Sequence, residues 1–408
     1  IQADFGQFDV PNNADRMSIE GAFGGPISEN VAVRAALRYS KQDPYLENLY
    51  PQGQPEFNVF GLPFFPIGDP GEGSGADVGD DDTIVGRFTV GFRPNDRLEI
   101  TLSANYADSE VNTAPYQSKS TIAMVEEVNG FSEVYNVIDT PAGETRLSIL
   151  TQNGVDTGLD GGGDGLVDSP FGPGNCAAIG LCARMAPGAD FFGYLDPDGD
   201  DFTMSSDFAF EDVGSTEYSG INARVEYQLG SDMSLVSVTD TKSYEKTLFI
   251  DVDAAPVNQL ANYGGMDATS FTQELRLSGG SERSDWVVGA YYLNIDTDSS
   301  NALKAPPNSI FGMIALPADV VTMATLETDS YSVFGQYEYQ MTDTIRLIGG
   351  ARIMREEKDY EGVWGLTPST GNDQISFDAG MYIPNAAGAG DPFFYQDDLS
   401  ETFWTGKL

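Results

Sequence analysis

The sequence predicts an all-β chain, an antiparallel up-and-down meander whose strands carry one apolar and one polar face. Three observations lead there. Runs of residues alternate apolar and polar almost without a break, the runs come in pairs joined by short turns, and long polar stretches rich in Pro and Gly separate the pairs. A period of two puts alternate side chains on opposite faces of a strand.

The first pair sets Met17, Ile19, Gly21 and Phe23 against Ser18, Glu20 and Ala22. A turn over residues 24–30 leads into Val31, Val33, Ala35, Leu37 and Tyr39, opposite Arg34, Arg38 and Ser40. Residues 41–81 form a long excursion. The second pair has the clearest pattern. Ile84, Gly86, Phe88, Val90 and Phe92 oppose Val85, Arg87, Thr89 and Gly91; after a turn at 93–96, Leu98, Ile100, Leu102, Ala104 and Tyr106 oppose Glu99, Thr101, Ser103 and Asn105. A longer excursion fills 109–215. Ile221, Ala223, Val225, Tyr227 and Leu229 then precede a strand near 233–246 whose faces the pattern leaves ambiguous. Phe271, Leu275 and Leu277 pair with Trp286, Val288, Ala290 and Tyr292. Tyr331, Val333, Gly335, Tyr337 and Tyr339 pair with Ile345, Leu347, Ala351 and Ile353. Residues 402–408 open a further strand, for about eleven in all.

Composition narrows the functional classes. With 63 acidic and 21 basic residues the net charge is −42, which excludes a basic nucleic-acid-binding surface and a polybasic membrane patch. Such acidity suits a salt-rich or calcium-rich exterior. There is no His, so His-ligated zinc and Ser-His or Cys-His nucleophilic sites are ruled out within these residues, and an enzyme is not expected. No run approaches 18 apolar residues, which argues against a transmembrane helix. The chain opens at Ile1 without a charged-then-apolar leader and is expected to be a mature piece or an internal fragment.

About nine alternating residues is the length that crosses a bilayer as a tilted strand, and apolar-out, polar-in is the mark of a membrane barrel. A soluble sandwich shares the alternation, so the connections decide. Here short turns and long loops alternate, which would put all tight turns at one end, whereas Greek-key sandwiches mix connection lengths. Aromatics gather at strand ends (Tyr39, Tyr106, Tyr227, Trp286, Tyr339), where ring amphipathicity favours the lipid boundary. The reading is a partial transmembrane β-barrel with long extracellular loops. Arg34, Arg38, Arg87, Arg224, Arg276, Arg346 and Arg352, with Glu274, fall on the polar parity and are expected to face the lumen. On the lipid face each Arg would cost roughly 2–4 kcal/mol near the midplane. They could ion-pair with neighbouring strands or meet a polypeptide in the bore.

The run from Gly25 through Tyr39 resembles an early barrel hairpin of TonB-dependent outer-membrane receptors. So do Gln273-Glu-Leu-Arg-Leu277 with Asp285-Trp-Val-Val-Gly-Ala-Tyr-Tyr292, and Tyr331-Ser-Val-Phe-Gly-Gln336 with 350–358. The resemblance covers most strand regions of residues 1–408. It implies a parent barrel of about 22 strands with a plugged lumen, of which this chain is similar to the first half, without plug or TonB box. It also implies residence in the Gram-negative outer membrane, active uptake of a scarce ligand such as a metal chelate or siderophore, energy coupling to the TonB complex through the plug, and no covalent chemistry. An open sheet edge should follow.

The 109–215 stretch, read as a large extracellular loop, holds the remaining candidates. Asp160, Asp164 and Asp168 stand at relative positions one, five and nine of a calcium-loop pattern, with Gly165 at six and Val167 at eight, but Gly162 and Phe171 take the third and twelfth places. Asp196, Asp198 and Asp200 form a second oxygen-rich cluster. Both also read as solvated Asp/Gly loops; no cofactor is required, and calcium is the one candidate. Cys176 and Cys182 would close a small disulfide ring in an oxidising compartment. Residues 121–128 suggest a short surface helix. Phe60, Phe64, Phe65, Phe191, Phe192 and Tyr194 would cap a ligand vestibule or pack within their loops. Two other classes compete with the receptor: a passive diffusion porin and a secreted, calcium-binding β adhesin, the latter soluble without detergent.

Overall fold

The computed structural model describes residues 1–52, 74–111, 121–128, 131–139, 151–152, 155–156, 201–206, 214–252, 260–305, 318–369, 371, 374–378, 382–383 and 392–408, with the backbone alone over 121–156. In chain order the strands are β1 (Gln2–Gln7), β2 (Asp15–Ser28), β3 (Val31–Gln42), β4 (Glu47–Asn48), β5 (Asp81–Asn95), β6 (Leu98–Val111), β7 (Thr121–Val128), β8 (Phe131–Asp139), β9 (Thr151–Gln152) and β10 (Val155–Asp156). They continue as β11 (Thr203–Met204), β12 (Gly214–Gln228), β13 (Met233–Asp251), β14 (Ala261–Ser281), β15 (Ser284–Lys304), β16 (Ala318–Thr342), β17 (Ile345–Pro368) and β18 (Phe393–Lys407). Among the described residues there is no helix.

Twelve of these strands form one antiparallel sheet in the order β1-β2-β3-β5-β6-β12-β13-β14-β15-β16-β17-β18. Every neighbour in the sheet is the next long strand in sequence, so the meander holds throughout. Two-residue turns close the β2/β3, β5/β6, β14/β15 and β16/β17 pairs at one end, and the long connections lie at the other. The sheet is not closed: β1 and β18 are its two edges.

Several expectations are corrected. The strand missed in the count of eleven is β1, where only Ala3 and Phe5 supply the apolar parity. Strands run longer than their apolar stretches, up to 25 residues in β16, because ladder hydrogen bonds continue where the side chains turn polar. The turns are correspondingly tighter: β5 reaches Asn95 and β2 reaches Ser28. Pro94 and Pro26 each lie within or beside a register shift near their turn, where a missing N–H is tolerated. Residues 121–128 are not helical. They form β7, paired with β8; Ile122, Val125 and Val128 favour extended backbone, and Asn129-Gly130 between the two is the dipeptide that most favours a tight hairpin.

The faces match the alternation. Register carries one row through Val33, Val90, Leu102 and Ala223 and the next row through Arg34, Thr89, Ser103, Asn222 and Asp240. On the apolar side Phe88 is 49% and Leu102 47% exposed, Val33 and Val90 are half-buried, and no second layer covers them among the described residues. The ambiguity of β13 resolves by register. Ser237, Thr239 and Thr241 share the apolar side with Val225, Ala223 and Ile221, and Val236 and Val238 take the polar side.

Candidate functional site: the polar face and the loop end

The eight residues expected on a lumen all project from the same face of the sheet. Arg34, Arg38 and Arg87 cluster on β3 and β5. Arg224 aligns through Val238 with Glu274, and Arg276 aligns through Gly289 and Phe334 with Arg352. Arg346 sits opposite Gln340 beside the last turn.

This face is laced together. Arg224 pairs with Glu226 at 2.7 Å and Arg276 with Glu274 at 2.6 Å. Arg346 bridges to Asp285 at 2.9 Å and also to Glu338, and Arg93 pairs with Glu99. Hydroxyls extend the lattice between strands, with Thr89 and Ser103 at 3.1 Å and Ser234 and Ser278 at 2.9 Å. Arg352 donates to Ser332 Oγ at 2.8 Å and lies over the Tyr291 ring, 5.9 Å from its centroid. Exposed pairs of this kind add little stability individually. Their effect is to keep a wet, charged surface ordered.

The loop end carries a feature the alternation did not reveal. Beyond the apolar belt, on the same side of β14–β17, Ala302, Val321 and Tyr382 form a small core with Tyr263, Met323, Val363, Ile375 and Phe377. Phe249, Tyr263 and Phe377 pack in series as tilted rings, with centroids 4.7 and 5.2 Å apart. Gly365 leaves the room that Tyr382 occupies: a Cβ there would come within 3.2 Å of the ring. A fully buried ion pair seals this core. Lys304 Nζ donates to Asp319 Oδ2 at 3.2 Å, Ser369 Oγ at 3.0 Å and the Gln374 carbonyl at 2.7 Å. Burial raises the Asp319 carboxyl pKa, and Lys304, Ser369 and the Ala305 amide oppose the rise. The segment after β17 is thereby pinned to the sheet.

A second knot joins the two longest excursions. β4 pairs in parallel with β11, Asn48 Nδ2 donates to the Ser206 carbonyl at 2.9 Å, and Ser206 Oγ donates to Asp251 at 2.6 Å. Asp160, Asp164, Asp168, Asp196, Asp198, Asp200, Cys176 and Cys182, with the aromatics at 60, 64, 65, 191, 192 and 194, lie outside the described residues.

A meander of two-faced strands, oily on one side and ionic on the other, with tight turns at one end and long connections at the other, is the wall of a membrane β-barrel. The chain belongs to the family described as TonB dependent receptor-like, beta-barrel, which matches residues 145–396. Proteins of that family reside in the outer membrane of Gram-negative bacteria, and so does this one. No curated protein sequence matches the chain. Among solved structures it is similar to the ferric yersiniabactin uptake receptor FyuA from Yersinia pestis, at 12% identity and TM-score 0.49, over 99% of this chain and 42% of that one. It is also similar to the closed form of the ferric-catecholate import receptor Fiu from K12 E. coli, at 12% identity and TM-score 0.48, over 99% and 46%. A third is the siderophore receptor PiuA from Acinetobacter baumannii, at 9% identity and TM-score 0.44, over 99% and 46%. The chain spans less than half the length of each of these three.

Proposed function

We propose that this chain forms part of the barrel wall of a receptor that takes a scarce, bulky ligand, such as a ferric siderophore or another large nutrient, across the outer membrane with energy delivered through TonB. Family membership carries this reading. The ionic face would line the bore, the tight turns would lie in the periplasm, and the pinned excursions would stand outside the cell around the ligand entrance. The chain's part is passive: it encloses and orients, and makes or breaks no covalent bond.

The test is uptake of radiolabelled ferric chelates by cells that carry the full-length protein as their only such receptor. Uptake should vanish when TonB is deleted or the inner-membrane proton gradient is collapsed. Uptake that persists unchanged would identify a passive pore instead.

A further inference from the structure

Three arginines on the polar face stand together without a carboxylate, whereas Arg352, which also lacks one, donates to Ser332 Oγ and lies over the Tyr291 ring. Arg224, Arg276 and Arg346 each hold a carboxylate. Among the described residues Arg34, Arg38 and Arg87 have none within ion-pairing distance, although the chain as a whole carries a charge of −42. Their positions converge. Arg87 on β5 faces Ala36 on β3, and Arg34 and Arg38 flank Ala36 on the same face. Both are therefore diagonal neighbours of Arg87, roughly 7–8 Å away, within reach of long side chains. The floor between them is small: Ala22 lies opposite Ala36, and Gly24 opposite Arg34. A depression of about 500 Å³ opens there, lined by Ala22, Ala36, Arg38 and Arg87 among others. Glu20 lines it too, one carboxylate against the guanidinium groups of Arg38 and Arg87, with Arg34 beside the depression, and it forms no ion pair with Arg38, which it faces. Asn105 accepts a hydrogen bond from Arg87 Nε at 2.6 Å. That bond steadies the side chain, and both Nη groups have no partner among the described residues.

We propose that Arg34, Arg38 and Arg87 form an oxyanion site that grips a carboxylate- or phosphate-bearing group through several guanidinium forks at once. Like charges held this close repel one another, and a shared anion with several oxygens relieves the repulsion while matching the fork geometry. The anion is either part of a diffusing solute or a carboxylate on a polypeptide within the bore. The site requires only that the polar face be wet, so it stands or falls separately from TonB-powered uptake.

The experiment is arginine modification by phenylglyoxal on the full-length protein, mapped residue by residue by mass spectrometry, with and without inorganic phosphate. Arg97, exposed in the β5/β6 turn, serves as the internal standard. Protection of Arg34, Arg38 and Arg87 that appears only with phosphate identifies a solute site; protection already present without phosphate identifies a polypeptide carboxylate. In the solute case, Arg87→Gln should raise the phosphate concentration that half-protects Arg34 and Arg38 by about tenfold. Arg276→Gln, which removes an already paired arginine, should leave it unchanged. Arg38→Gln, read at Arg34 and Arg87, replaces Arg87→Gln if that variant fails to assemble. Reactivity equal to that of Arg97 under both conditions overturns the site, and so does an equal effect of Arg276→Gln.

Discussion

At Lys304 the chain buries a whole positive charge, and the geometry shows how that is tolerated. An ammonium has three donors, and here they meet three acceptors: the Asp319 carboxylate, the Ser369 hydroxyl and the Gln374 carbonyl. Removing one partner of such a pair leaves the other charge buried alone, at a cost of about 3–5 kcal/mol. Lys304→Met should therefore free the segment around 369–383, read as faster hydrogen exchange and proteolysis there. The double variant Lys304→Met with Asp319→Leu should behave much like wild type. Protonation supplies a second handle. Because burial raises the Asp319 pKa in the folded state, its contribution to stability is complete below the ordinary aspartate range and is lost as pH rises through the raised value. Without Lys304 the rise is larger, so the single variant should loosen at neutral pH and tighten again as pH falls toward the ordinary aspartate range. Equal exchange in variant and wild type at neutral and at acidic pH would show that the pair holds nothing in place.

Single elements show why some of this architecture was legible in the sequence and some was not. β5 and β6 alternate cleanly, as expected of strands that meet hydrocarbon on one side and water on the other. Val90→Arg or Leu102→Arg should thus block assembly of the full-length protein, each costing about 2–4 kcal/mol near the midplane. Thr89→Arg and Ser103→Arg should assemble, as judged by the heat-modifiable band on a gel. Equal behaviour of all four would reverse the faces. β13 resisted reading because Ser237, Thr239 and Thr241 occupy the apolar side, where their polarity is met locally. Thr239 Oγ1 donates to Gln273 Oε1 at 2.6 Å, and Gln273 Nε2 donates to Ser237 Oγ at 3.0 Å. Thr and Gln can share an oily face when each satisfies the other, and that pairing becomes visible only once register is known. β1 was missed for want of apolar residues, and β7 was misread although Asn129-Gly130 marked a hairpin. The Lys304 core could not be read at all, since it joins residues from five strands with a segment some 70 positions away in sequence.

For the molecule as a whole, the open sheet sets a physical requirement. β1 and β18 are exposed along their entire length, and backbone groups at such an edge have no water to bond within hydrocarbon. Both edges must be paired before this wall can span a bilayer, and closure then separates the two faces into lipid and bore. That separation can be measured by placing single cysteines along two adjacent rows of the full-length protein, after Cys176 and Cys182 are changed to Ser. One row is Thr89, Ser103 and Asn222; the other is Val90, Leu102 and Ala223. In the assembled protein a lipid-dissolved maleimide should label only the Val90 row. A charged, membrane-impermeant maleimide should label only the Thr89 row, more slowly if a polypeptide fills the bore. The two reagents thus distinguish a shielded bore from a misassigned face, because shielding slows one row without transferring its reactivity to the other. If both rows react alike with both reagents, the oily and ionic sides do not face different solvents, and the barrel-wall reading fails at its root.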